Sequence, residues 1–462
     1  MKFFNTIALI GLAILGSNAM RNIPSKDLIK EIKIGWNLGN SLDAHCLEDL
    51  DYSKDQLASE TCWANPKSTP ELFNKLNELG FNIFRIPTTW TGHFGEGPEY
   101  KISEVWMKRV HEVVDNALKT GSYAILNIHH ENWNYAFAEN LEKAKPILEA
   151  IWKQIATEFA GYDEHLIFEG LNEPRKVGDP NEWNGGDAEG WNFVNTMNEL
   201  FIKTVRATGG NNALRHLMIE TYAGSVNDGA ITEFKFPSGD DKIIATVHSY
   251  SPYNFALNTG EGAETTFTST SEVDWAMNQI RKNLVSKNIP VIIGEFGAMN
   301  RENESERAKW AEYYVKSATA MGVPCILWDN GYFQGDGELF GIIDRSTLKV
   351  AYPELLNGLM KGLGNTNNAV AVEPSPAPVE EPVQEPAQEP SPAPVEEPAQ
   401  EPVPVVEPST SEDYYSCGKD DWVCKSKMSD KCYGEASKCY SSSVNYDECN
   451  AIISKCAKIW SN

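Results

Sequence analysis

Two glutamates stand where short apolar runs stop. In Pro290-Val291-Ile292-Ile293-Gly294-Glu295-Phe296-Gly297 the run opens on proline and halts at a carboxylate with glycines close on either side. In Leu166-Ile167-Phe168-Glu169-Gly170-Leu171-Asn172-Glu173-Pro174 a second run ends the same way. Runs of this kind read as buried parallel strands whose C-terminal tips present the acid. A single carboxylate at a strand end marks only the solvent boundary. Two on separate tips can divide a hydrolysis between them, one giving a proton while the other attacks carbon, which is the requirement for breaking a glycosidic bond.

For such tips to meet, their strands must share one parallel sheet. Residues 21–365 alternate in that sense, with strands expected over Ile32–Leu38, Phe81–Ile86, Tyr123–His129, Leu166–Leu171, His216–Thr221, Ile243–His248, Val291–Glu295 and Val323–Trp328. Between them, Ser68-Thr69-Pro70-Glu71 has capping-box spacing, with Leu72, Leu76 and Leu79 at helical period and Gly80 closing the segment. Val105–Leu118, Ala144–Phe159, Val194–Ala207, Val273–Leu284 and Glu306–Ala320 follow the same period. Eight strands with intervening helices point to a (β/α)8 TIM barrel, an α/β fold; an open sheet stays possible, because closure leaves no mark in sequence. No Gly-rich phosphate loop follows the first strand, which removes support for nucleotide binding.

Functional side chains of such a barrel gather at the C-terminal strand ends. Those ends carry Trp36-Asn37, Arg85-Ile86-Pro87 with Trp90, His129-His130-Glu131 with Trp133, and Asn172-Glu173-Pro174. Further on come His248 and Tyr250, Glu295, and Trp328-Asp329-Asn330. Singly, each has an ordinary reading: Arg85 as a structural ion-pair partner, His129 and His130 as core or metal histidines, Trp36 and Trp328 as packing aromatics. Their joint arrival at strand tips is harder to ascribe to chance.

Together these residues resemble glycoside hydrolase family 5, and Arg-Ile-Pro-x-x-Trp, Asn-x-His-His-Glu, Asn-Glu-Pro and Trp-Asp-Asn-Gly are similar to its rumen bacterial and anaerobic-fungal endoglucanases. The resemblance covers about 21–360, with eight family positions in order and none departing. It implies that Glu173 is the acid/base and Glu295 the nucleophile of a double displacement that retains anomeric configuration. By the same resemblance Asn172 bonds the sugar 2-OH, His129 and His248 orient carboxylates and sugar hydroxyls, and His130 belongs to the substrate-binding set. Trp328 would floor the sugar being cleaved, Arg85, Asn37 and Tyr250 belong to the binding site, and Trp36, Trp90 and Trp133 are candidates for stacking subsites. Arg85 and Tyr250 would keep Glu295 ionised, and the second carboxylate would raise the pKa of Glu173. No metal and no organic cofactor is implied.

Glu131, Glu169 and Glu220 compete for catalytic roles. Alternation along a strand puts Glu169 on the face of Glu173 but about 13 Å deeper, as a structural group. A metal reading of His129-His130-Glu131 loses weight because neighbours on a strand point to opposite faces. Cys46 and Cys62 bracket a loop and could pair, Cys325 reads as a small buried residue, and Asn303-Glu304-Ser305 is a glycosylation sequon that could equally stay unmodified.

The net charge of −25 argues against nucleic acid and an anionic membrane as partners, although over a third of it lies in 373–408. Residues 1–19 place Lys2, an apolar core and Ser17-Asn18-Ala19 as in a secretory signal, so the protein is expected outside the cell. Segment 366–412 is a Pro/Glu-rich linker; within it 373–408 holds 12 prolines and 9 glutamates, which forbids ladders and favours an extended chain. Residues 413–462 hold Cys417, Cys424, Cys432, Cys439, Cys449 and Cys456, three pairs at heptad spacing, and read as a small helical disulfide-rich module. That module would bind cellulose or dock on a scaffold protein of a multienzyme complex. The whole chain thus reads as a secreted endo-β-1,4-glucanase acting on β-1,4-glucan. A xylanase, xyloglucanase or mannanase on the same barrel is the alternative, and a non-catalytic wall-binding or scaffold protein a distant one.

Overall fold

The computed structural model describes residues 20–364 and, beyond them, only the single positions Met428 and Lys455. The expected leader, linker and cysteine-rich module therefore lie outside the described residues. Eight parallel strands close into one barrel: β1 Ile34–Leu38, β2 Ile83–Ile86, β3 Tyr123–Asn127, β4 Leu166–Glu169, β5 Leu217–Glu220, β6 Ile243–His248, β7 Val291–Phe296 and β8 Cys325–Asp329. Closure is made by β1 against β8, with Gly35 opposite Ile326 and Asn37 opposite Trp328. Seven long helices surround it: α1 Pro70–Glu78, α2 Glu104–Leu118, α3 Ala138–Glu158, α4 Ala188–Ala207, α5 Ser271–Asn283, α6 Glu304–Thr319 and α7 Pro353–Gly362. No long helix joins β5 to β6; short helical turns serve there instead. Among the described residues no helix is long and apolar enough to cross a membrane.

Alternation explains what the barrel contains. Ile83, Ile125, Ile167, Met218, Ile244, Ile292 and Ile326, one from each of β2 to β8, pack into a single apolar plug. The β1 place in that layer is Gly35, where a Cβ would sit 2.6 Å from Ile83 and 2.7 Å from Ile326. Two residues further along each strand the same face comes round again. That step converts the plug into a polar layer of Asn37, Arg85, Asn127, Glu169, Glu220, Thr246 and Trp328. The outward residues, among them Phe84, Leu126, Phe168 and Ile293, bury themselves under the helices.

Several local expectations shift. The α1 N-cap is Thr69, and no side chain caps it; the capping-box reading of Ser68 fails because this segment is held differently. Ser68 N donates to buried Glu60, and Ser68 O accepts from Arg109, which is itself paired with Glu60 at 2.6 Å. α3 begins six residues before the expected Ala144 and carries Pro146 inside it, in the third turn. Asn303 is buried just before α6, its amide donating to Thr265 O and its oxygen accepting from Arg301 N, so the sequon is spent on structure. Cys46 and Cys62 are bonded, and Cys325 is buried and free.

Candidate active site

The polar layer is organised by one guanidinium. Arg85, fully buried, donates from Nε to Glu169 at 2.6 Å and from Nη1 to Glu295 at 2.5 Å and Asn37 Oδ1 at 3.0 Å. Its Nη2 donates to Asn172 Oδ1 at 2.7 Å. Burial opposes its charge, but Glu169 and Glu295 more than restore it. Because Arg85 occupies the Asn172 oxygen, the Asn172 amide nitrogen is left to donate into the cleft. Asn37 reaches no cleft surface; it anchors Arg85 and donates to the Gly294 carbonyl at 3.0 Å.

Strict alternation would turn Glu295 outward, since Ile292 faces in. The register between β6 and β7 shifts at Val247/His248, and that between β7 and β8 shifts between Ile293 and Phe296. A bulge of this kind re-aims a side chain. Phe296 therefore stacks outward on Tyr314, and Glu295 turns in to meet Arg85 and the Tyr250 hydroxyl, which donates at 2.7 Å. Burial and Glu295 push the Tyr250 phenol well up, so it remains a donor. Gly294 is required beside it, because a Cβ there would fall 2.6 Å from Thr246 Oγ1 and 3.0 Å from His248 Nε2.

Glu173 is aimed by a turn rather than a strand. β4 stops at Glu169, and Glu173 has φ 47°, a left-handed backbone that a glutamate rarely adopts. His248 Nδ1 lies 2.7 Å from Glu173 and 3.7 Å from Glu295, and one oxygen of each carboxylate lies within 4.8 Å of the other. Burial pushes the Glu173 carboxyl up, yet the hydrogen bond and charge of His248, with Arg175 and Arg85, hold it below its usual range. The expectation of a raised Glu173 fails here because His248, with Arg175 and Arg85, outweighs burial. His248, opposed by its burial, is raised by Glu295 and Glu173. Both shifts favour the ion pair of imidazolium and carboxylate, with the two groups in direct hydrogen-bond contact.

The extended-strand distance for Glu169 does not apply, since the strand ends there. Glu169 is nonetheless structural, accepting from Arg85 and from Asn127 at 2.9 Å. Asn127 also donates to His129 Nδ1 at 3.1 Å, which leaves the His129 Nε2 proton free to point elsewhere, and His129 stacks on Trp328 with rings 5.9 Å apart. Burial holds His129 well below its ordinary pKa and His130 down to about 3, so both are neutral. The opposite-face argument fails for this pair, because β3 ends before them: Asp43, His129 and His130 bring one ligand-type atom each within 4.8 Å. Both Asp43 oxygens already accept backbone N–H groups, from Asn40 and Ser41. Glu131 staples a loop, accepting from Trp90 N and from Trp133 Nε1.

A cleft of about 1180 Å³ opens over these groups, lined by His129, His130, Asn172, Glu173, His248, Tyr250, Glu295 and Trp328. Three expected stacking residues are elsewhere. Trp36 is fully buried and donates to Asp329; Trp90 is fully buried and donates to Asn127 O; Trp133 is half-buried on Glu131 and lines no part of the cleft. Each stands near polar strand-tip residues in sequence, but its indole is spent on a protein acceptor. The further aromatics that line the cleft are Trp63, Trp183 and Tyr332 on loops, Tyr253 on a single helical turn after β6, and Trp275 on the exposed side of α5. Their signal was only that bulky aromatics such as Trp183 and Trp275 stand exposed. A smaller pocket shares His129, His130, Asn172 and Glu173 and adds His45, Tyr135 and Arg175.

The model of the family described as cellulase (glycosyl hydrolase family 5) matches residues 50–334. "Endoglucanase B" of Neocallimastix patriciarum is 70% identical over 366 residues, covering 79% of this chain and 77% of its own length. Among solved structures, a GH5-4 broad specificity endoglucanase from Ruminococcus champanellensis with bound cellotriose superposes with TM-score 0.71 at 47% identity, over 74% of this chain and 99% of that one. A GH5 xyloglucan-specific endo-β-1,4-glucanase from a metagenomic library, in complex with cellotriose, gives TM-score 0.69 at 41% identity over 72% and 98%.

Proposed function

Since the chain belongs to glycosyl hydrolase family 5, we propose that it is a secreted, retaining endo-β-1,4-glucanase that cuts internal bonds of cellulose and related β-glucans. The observation that carries the reading is the carboxylate pair. One oxygen of Glu173 and one of Glu295 lie within 4.8 Å, a closeness that supports the about 5–5.5 Å spacing of a retaining pair over the about 6.5–9.5 Å of an inverting one.

In the proposed cycle Glu295 attacks the anomeric carbon while the bond to the leaving oxygen breaks and Glu173 delivers a proton to that oxygen. Substrate binding excludes water and moves the proton from His248 onto Glu173. Once Glu295 is esterified its charge is gone, and Glu173, now a carboxylate, takes a proton from water that attacks the same carbon. Arg85 and Tyr250 stabilise the departing Glu295 carboxylate, and Asn172 donates to the neighbouring sugar hydroxyl. Trp328, stacked against His129, supplies an apolar wall. An apolar leader over 1–19 supports export. The open cleft with aromatics on several loops supports binding within a chain rather than at its end.

Glu295→Ala is expected to abolish turnover while circular dichroism stays native, and azide is expected to restore activity with product of inverted configuration. Wild-type-like hydrolysis by that variant would remove the assignment. A xyloglucanase is the second reading, favoured by likeness to a xyloglucan-specific enzyme. Product analysis on soluble cellulose, xylan, xyloglucan and mannan separates the two.

A further inference from the structure

Asp329 ends β8 and Asn330 follows it at the cleft wall, and both spend their side chains on the loop beyond. Asp329 accepts from Gly331 N at 2.7 Å and from Ile342 N at 3.0 Å, while Asn330 Oδ1 accepts from Tyr332 N and Phe340 N. Asn330 Nδ2 donates to the Glu338 carbonyl at 2.9 Å, and Asn300 N donates to the Leu339 carbonyl at 2.8 Å. Two buried side chains thus close the 331–342 loop at both ends. The loop brings Asp336 and Glu338 into the cleft wall, both exposed. The cleft lining holds five carboxylates, Glu173, Glu272, Glu295, Asp336 and Glu338, and, among the described residues, no lysine or arginine. Behind the catalytic pair stand Arg85, His248 and Arg175 as counter-charges. Asp336 and Glu338 have no ion-pair partner among the described residues.

Glu338 lies close enough to be felt by the centre. Although the Glu338 side chain keeps contact with solvent, partial desolvation against the cleft wall, then Glu295 and Glu173, raise its carboxyl, and it adds to the upward push on Tyr250. A cleft with low-dielectric walls and one sign of uncompensated charge focuses its field on whatever enters. A neutral sugar meets no penalty there. A sugar bearing a carboxylate, brought within a screening length of about 10 Å, does.

We propose that Glu338, with Asp336 beside it, is a specificity-determining residue that turns away glucans carrying anionic substituents next to the bond being cut. The inference rests on the glucanase reading of the site. It assigns the substrate class as neutral β-glucan, whether plain or decorated with neutral sugars, and disfavours chains bearing uronate or carboxymethyl groups.

The test compares kcat/KM of the full chain on carboxymethyl cellulose and on hydroxyethyl cellulose of equal substitution, which matches the bulk without the charge. At low salt Glu338→Gln is expected to raise the carboxymethyl-to-hydroxyethyl ratio about threefold, and Asp336→Asn with Glu338→Gln further. The gain should shrink toward nothing in about 0.5 M salt, and Glu338→Asp should keep the wild-type ratio. A ratio unmoved by the double variant, a gain indifferent to salt, or an equal gain in Glu338→Asp would overturn the proposal. Failure of the wild type to cut either polymer would instead remove the glucanase reading beneath it.

Discussion

Arg85 is the residue on which the others depend, because a planar fork satisfies four acceptors that a lysine cannot reach together. Arg85→Lys is expected to lower kcat about 100-fold through misplacement of Glu295 and Asn172, with KM changed less. Arg85→Ala would leave Glu169 and Glu295 buried without their cation, at a cost of about 3–5 kcal/mol in unfolding experiments. Glu220 makes the opposite case. Its carboxyl oxygens are buried without hydrogen-bond partners, and burial, then Glu169 and Glu173, push its pKa well up. A carboxyl raised in the fold binds its proton more tightly folded than unfolded. Its contribution is fully present below the unfolded pKa and is lost as pH rises toward the folded one, at most about 1.4 kcal/mol per unit. Glu220→Gln should therefore gain Tm relative to wild type as pH rises from about 5 to about 8. A Tm difference that stays constant across that range would show Glu220 ionised or paired.

Among the elements, the strands do the positioning and the loops supply the reach. The Cys46–Cys62 bond closes a 16-residue separation immediately before Trp63 in the cleft wall. Replacing both cysteines by serine should cost about 3 kcal/mol by the chain-entropy account and raise KM more than it lowers kcat. All eight strands were legible from their apolar runs, and so were Arg85, Asn172, Glu173, His248 and Glu295 at their tips. What escaped the sequence is local and physical. Nothing in the order of residues announced the bulge that turns Glu295 inward. Trp36 and Trp90 lie next to polar tips in sequence, yet they are core because each indole N–H finds a buried acceptor. The His248–Glu173 contact spans 75 residues, from the last residue of β6 to the turn after β4, so its grip on that carboxylate could not be read from either stretch.

For the whole molecule, the chain divides into a unit over Met1–Pro376 and a second over Ala377–Asn462. We expect 21–365 alone to match the full chain on soluble glucan. A gain by the full chain confined to insoluble cellulose would assign 413–462 to polysaccharide binding, and no gain would favour a scaffold partner. The shared fork of Arg85 has a consequence in the language of descent. Glu169, Asn37, Glu295 and Asn172 each answer to the same guanidinium, so a change in one alters the worth of the other three. Such a set is epistatic: no single step improves it, and a lineage keeps it or loses it whole. Trp63, Trp183 and Glu338 on their loops and Trp275 on α5 make no hydrogen bond to that fork, so they are free to diverge one substitution at a time, and a lineage can acquire new polysaccharides while its chemistry stands still.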